Sequence, residues 1–223
     1  RHCWRTVDRD STLNMQSKAR CLIFSALVAC AARIDAQDLT DRLHLSAGFG
    51  PAFQQDMNIP QGEQAMSFNT GVRGEVELSY DFTPWLAAGL ETGAIWSSVD
   101  SIGGVTMSSY GGSLDLFQIP LMANVVFTTH SWKRLRPYAG GGLGCVFGLL
   151  DFKSPLGNIE DVDTTLAFQA LAGVRYEISD RLELGLGYKY LATQSHGWSQ
   201  DGVALYTEGS GIHSVTCSLT WRF

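Results

Sequence analysis

A serine, an imidazole and a carboxylate held within hydrogen-bond reach can activate a hydroxyl for acyl transfer. Those residue types fall close together at Ser195, His196, Ser199 and Asp201. Nothing in that spacing fixes a geometry, and a His-Ser pair in a polar stretch is commonly plain loop. His213 and Ser214 are neighbours in an alternating segment, so their side chains point to opposite faces and cannot work as a pair. The glycine run at 140–144 lies inside a strand-like segment with no helix after it, unlike a phosphate-binding loop. His2, His44 and His130 have no ligand partners at useful spacing. No catalytic residue, metal or cofactor is therefore expected. The reactive types that do recur in a pattern are charged: Arg73, Glu75, Glu77, Glu91, Arg175, Glu177, Glu183, Lys189 and Arg222. Four are cationic and five anionic, and their chemistry is ion pairing.

These charges sit in segments of period two, the strand signature. Eight segments can be traced, spanning 43–53, 72–82, 86–96, 117–127, 138–149, 166–178, 182–190 and 214–223. The clearest places Leu166, Phe168, Ala170, Ala172, Val174, Tyr176 and Ile178 opposite Gln169, Gly173, Arg175 and Glu177. The connections alternate in length. Those near 83–84, 128–136 and 179–181 are short, whereas 54–69, 98–112, 150–164 and 192–211 are long and rich in Gly, Ser, Asp and Asn. Strands of about 9–11 residues with alternating short and long connections predict an eight-stranded, antiparallel, up-and-down transmembrane β-barrel. The long connections would be four extracellular loops.

Alternation alone leaves open which face meets lipid. Two observations decide. The charged face has nearly balanced signs, so it can pair inside a barrel just wide enough to be filled by side chains. The opposite face is sorted along the strands: Phe49, Phe53, Trp96, Phe117, Phe147, Phe168 and Tyr190 near the long connections, and Tyr80, Phe82, Trp85, Phe127, Tyr176, Trp221 and Phe223 near the short ones. Aliphatic residues lie between. Two aromatic girdles around an aliphatic band fit a bilayer. Cys145 and Cys217 fall on this face in non-adjacent segments and are expected to remain unbridged.

The 223 residues carry 16 basic and 22 acidic side chains, a net charge of −6, with 45% apolar residues. That composition excludes an acidic disordered chain, and no basic face is present for nucleic acid. No apolar run reaches the length of a spanning helix. Residues 1–14 are patternless and read as an upstream extension. Residues 15–36 read as a signal peptide: Lys18 and Arg20, an apolar run at 21–32, then a small-residue cleavage site at Ala36. Leu27-Val28-Ala29-Cys30 offers a competing lipobox. The barrel domain is then 37–223, with 10 basic and 19 acidic residues, net −9.

Four stretches carry a family resemblance: Phe117-Gln118-Ile119-Pro120-Leu121, Arg136–Gly144, Leu184-Gly185-Leu186-Gly187-Tyr188-Lys189-Tyr190, and the ending Leu219-Thr220-Trp221-Arg222-Phe223. In this order they resemble the small outer-membrane β-barrel proteins of the OmpA/OmpX type. The resemblance implies an integral outer-membrane location in a Gram-negative-type bacterium, with the bilayer as partner. It implies that Val215, Cys217, Leu219, Trp221 and Phe223 form the C-terminal signal read by the barrel-insertion machinery. It does not imply a ligand, since the family is functionally mixed. The expected role is a monomeric, non-enzymatic barrel for envelope integrity or adhesion, with an unidentified ligand at its extracellular loops. The alternatives are a narrow pore, or a lipid A-modifying enzyme of the kind found among eight-stranded barrels.

Overall fold

The alternating segments fold as eight long strands in the computed structural model, which describes residues 41–59, 64–110, 113–129, 134–154, 157–200, 203–207 and 209–223. They are β1 (Leu43–Gln54), β2 (Gly71–Thr83), β3 (Leu86–Ile102), β4 (Ser113–Thr128), β5 (Leu135–Ser154), β6 (Gly157–Ser179), β7 (Leu182–Thr193) and β8 (Gly211–Arg222). Each strand pairs antiparallel with the next, and β8 pairs back onto β1. The Arg42–Phe223 unit is thus a closed up-and-down barrel. Closure leaves no strand edge unpaired, the condition a bilayer imposes. The proposed extension and signal peptide, 1–36, lie outside the described residues.

The ladder fixes the barrel's geometry. Starting at Leu43, register partners run Tyr80, Ala88, Val125, Gly141, Ala170, Tyr190 and His213, then return to β1 at Phe53. One circuit therefore climbs ten residues over eight strands. With ~3.3 Å per residue and ~4.8 Å between strands, this stagger tilts the strands by about 40°. The barrel is narrow, and side chains can fill it.

The long connections are more regular than their composition implied. β5 and β6, 20 and 23 residues long, continue pairing to Ser154 and Gly157, through most of the expected loop 150–164. A ribbon beyond the membrane needs no apolar face, so its sequence carries no period-two signal. His196–Gln200 pairs with Val203–Thr207 in the last connection. In the first, Met57–Ile59 pairs with Gln64–Phe68, which pairs onto the end of β3. There Met57, Met66, Val99, Met107, Leu114 and Leu116 bury one another, with Phe68 and Ile102 packed against them. The first two long connections thus share a small core of their own.

The two faces separate as expected. Leu90, Leu143, Leu166, Leu186 and Phe49 are among the most exposed apolar residues, and all face outward. Both girdles form, with Trp85 stacked on Phe127 and Tyr80 edge-on to Phe82 at the short-turn end. Cys145 and Cys217 are free.

Candidate functional site: the barrel lumen and its outer rim

The inward face holds two ion-pair clusters and an apolar layer. At mid-height, Arg73 on β2 is fully buried and reaches across the lumen. Its Nη2 donates to Glu91 on β3 and to Gln169 Oε1 on β6 (2.8 Å), and its Nη1 donates to Ser214 Oγ on β8 (3.4 Å). Its Nε lies 2.9 Å from Glu75 Oε2. Lys189 on β7 places its Nζ 2.9 Å from Glu75 Oε1 and 2.8 Å from Glu91 Oε2. Glu77 and Glu91 are direct register partners, a like-charge pair that alone would destabilise the sheet. Asn124 Nδ2 donates to both, at 3.1 and 2.7 Å, and Gln169 Nε2 donates to Glu91 Oε2 at 3.0 Å. Cations and amides thus take up the carboxylate oxygens, as buried charge requires.

The second cluster lies toward the short-turn end. Glu177 and Glu183 are again register partners. Arg136 Nη1 joins them, 3.4 Å from Glu177 and 2.7 Å from Glu183. Arg222 lies 3.5 Å from Glu183 and 3.7 Å from Asp81, whose other neighbour is His44 Nε2 at 2.9 Å. Arg175 opposes Arg136 in register and turns away to cover the Tyr138 ring, 4.5 Å from its centroid. Tyr138 lies where Gly173 and Gly187 leave room: a Cβ on either would come within 2.6 Å of its hydroxyl. These two glycines therefore let the Tyr138 ring lie along the inner wall over the neighbouring strands β6 and β7.

Of the nine charged residues expected in the lumen, the structure brings eight into these two clusters, while Arg175 covers Tyr138. The expectation missed Arg136, Asp81, His44, Asn124 and Gln169. Asp81 and Gln169 are in phase with the charged positions of their own strands, so for them the signal was present, whereas the strands of His44, Asn124 and Arg136 offer no other charge in the same phase. Arg136 stood next to a proline at the edge of its segment and read as turn.

Toward the long-loop end the lumen changes character. Ala52, Ile95, Met122, Val146, Ala167, Leu191 and Ile212 form one buried apolar cluster, one residue from each strand except β2. Leu191 lies two residues beyond Lys189, and Ile212 two before Ser214. The lumen is thus polar around its ion pairs and closed by an apolar layer toward the long-loop end. The polar region keeps a cavity of about 20 Å³, lined by Glu75, Glu77, Tyr138, Arg175 and Lys189 among others, which is room for one or two waters.

The candidate acyl-transfer group is not assembled by anything described. Ser195 is exposed, the side chains of His196 and Ser199 are beyond the described positions, and Asp201 lies outside the described residues. His213 and Ser214 do point to opposite sides, Ser214 into the lumen. Among the described residues no group of His, Cys, Asp and Glu is placed to hold a metal ion.

Charge is divided sharply along the sequence. Of the 19 acidic and 10 basic residues from Gln37 onward, ten acidic and one basic fall in the sequence segments 54–69, 98–115, 150–164 and 192–211, the long connections with the strand ends that flank them. The single lysine or arginine among them is Lys153. The remaining nine and nine cancel, so the whole net −9 belongs to those segments of the sequence.

On β8, Val215, Cys217, Leu219 and Trp221 face outward, and Phe223, just past its end, is exposed. If they form the insertion signal, Phe223→Asp should lower the amount of protein in the outer-membrane fraction several-fold, read by immunoblot against a co-assembled barrel. Unchanged assembly would show that this residue is not read.

A family model described as the outer membrane protein beta-barrel domain matches residues 22–223. No curated protein sequence matches the chain. Among solved structures, the chain is similar to the Neisserial surface protein A (TM-score 0.55, 13% identity, 81% of this chain and 97% of that one). It is also similar to Ail, the attachment invasion locus protein of Yersinia pestis (TM-score 0.48, 16% identity, 82% and 99%). The outer membrane protease OmpT of Escherichia coli matches with a TM-score of 0.44 and 8% identity over 82% and 97%. At these identities the likeness concerns the fold.

Proposed function

The chain belongs to the outer membrane protein beta-barrel family, and from that premise we propose that it is a non-enzymatic envelope protein that works through its outer face. The observation that carries this reading is the division of charge along the sequence: a net −9 in the long connections and the strand ends that flank them, against balanced charge in the rest of the barrel domain. A lumen crossed by Arg73 and Lys189 and closed by an apolar layer supports a rigid platform rather than a conduit. In this reading the chain inserts as a monomer through the barrel-insertion machinery. The long-loop end faces outside and serves adhesion or envelope integrity. Its acidic face favours cationic surfaces and disfavours polyanions, an attraction screened beyond about 8 Å at physiological salt.

Cells producing the protein should attach several-fold better than cells lacking it to a polylysine-coated surface, and no better to a heparin-coated one. The gain should shrink with added salt, and in the Asp56→Asn, Asp100→Asn, Asp115→Asn triple variant. Equal attachment to both surfaces would refute an electrostatic outer face. A changed number of acyl chains on outer-leaflet lipid, read by mass spectrometry of the same cells, would favour the enzymatic alternative instead.

A further inference from the structure

At the outer rim of β1, β7 and β8 the lipid-facing wall carries a polar group. His213, half-buried and outward-facing, has both ring nitrogens engaged: Nδ1 is 2.6 Å from Tyr188 Oη and Nε2 is 3.0 Å from Gln55 Nε2. The Tyr190 ring lies 4.8 Å from the imidazole, centroid to centroid. Phe53 is the register partner of His213 on β1, as Tyr190 is on β7. Phe53, Gln55 and Tyr188 are exposed. Gly211 leaves room for the arrangement, because a Cβ there would lie 2.5 Å from Gln55 Oε1 and 2.7 Å from the Tyr190 ring. Elsewhere this girdle consists of residues such as Phe49, Trp96, Phe117 and Phe168.

Depth determines what such a group can face. Eight residues separate His213 from Trp221 of the opposite girdle. At ~3.3 Å per residue and a tilt of about 40°, that is roughly 20 Å of height, close to the ~25 Å apolar band of such barrels. An imidazole and a carboxamide are costly in hydrocarbon, so at this depth they face headgroups. Aromatic faces beside hydroxyl, imidazole and amide groups match a sugar ring, which offers C–H faces and equatorial hydroxyls. The long connections are acidic, with Lys153 their only lysine or arginine in the sequence, so an anionic headgroup is disfavoured.

We propose that Phe53, Gln55, Tyr188, Tyr190 and His213 form a docking site for the uncharged saccharide headgroup of an outer-leaflet glycolipid.

The test is native mass spectrometry of the folded protein released from micelles containing a dihexosyl diacylglycerol and a phosphatidylglycerol with the same acyl chains. The wild-type protein should retain the glycolipid in preference. His213→Ala and Tyr190→Ala should each lower that retention on the order of tenfold, with folding verified by faster migration of the unboiled protein on a detergent gel. If His213→Ala does not fold, Tyr188→Phe keeps the ring and removes only the hydroxyl, and it should lower retention several-fold. Wild-type retention in folded variants, equal retention of both lipids, or a preference for phosphatidylglycerol would each overturn the site.

Discussion

Arg73→Ala is expected to destabilise the barrel by about 3–5 kcal/mol, the cost of removing one partner from a buried ionic group. The guanidinium is fully buried and bonds to groups on β3, β6 and β8. Its loss leaves Glu91 beside its register partner Glu77 with Lys189 as the remaining cation. The measurement is the midpoint of urea unfolding in detergent micelles or bilayers, followed by the electrophoretic shift between folded and unfolded forms. Adding Glu91→Gln to Arg73→Ala should recover part of the loss, because the uncompensated charge is removed along with its partner. A single variant with a wild-type midpoint would mean that the mid-lumen cluster is not buried as described.

Leu90→Arg should cost about 2–4 kcal/mol when the protein is folded in a bilayer. Leu90 lies on β3 midway between the girdle residues Trp85 and Trp96, and it is 63% exposed. In water such a residue would tolerate arginine with little effect. At the bilayer midplane it cannot. Trp85→Arg, at the interface, should cost only about 0–1 kcal/mol on the same scale. Unfolding titrations of both variants in vesicles separate the two environments. Equal effects at the two depths would contradict the assignment of this face to lipid.

Most of the barrel was legible because a membrane strand obeys one rule over its whole length: one face apolar, one face able to pair. Val72 to Phe82 shows it residue by residue, and the structure keeps that phase. The girdles were legible for the same reason, since Phe49 and Trp221 answer to depth alone. The lumen was only half legible. Charges stand out in an apolar strand, as Glu91 and Lys189 do, but Ile95, Leu191 and Ile212 look like ordinary strand residues until a register places them in one layer. Register is a property of pairs of strands, and no single segment states it. Outside the membrane the rule ends. The β5–β6 ribbon through Asp151 and Glu160 is held by backbone pairing, which any residue except proline can supply, so its sequence resembles a loop. The acyl-transfer candidates around Ser195 showed the opposite weakness: suitable residue types close in sequence, with no element to fix their geometry.

Whether the lumen is shut can be read most directly from single-channel recordings of the purified wild-type protein in a planar bilayer. With Arg73 and Lys189 crossing the polar region and seven apolar side chains closing the outer part, the membrane should stay silent at moderate voltages. The Leu191→Ser, Ile212→Ser double variant, which admits water into the apolar layer, should show small discrete steps. Steady unitary conductance from the wild-type protein would contradict a closed lumen and make the narrow pore the better reading of its function.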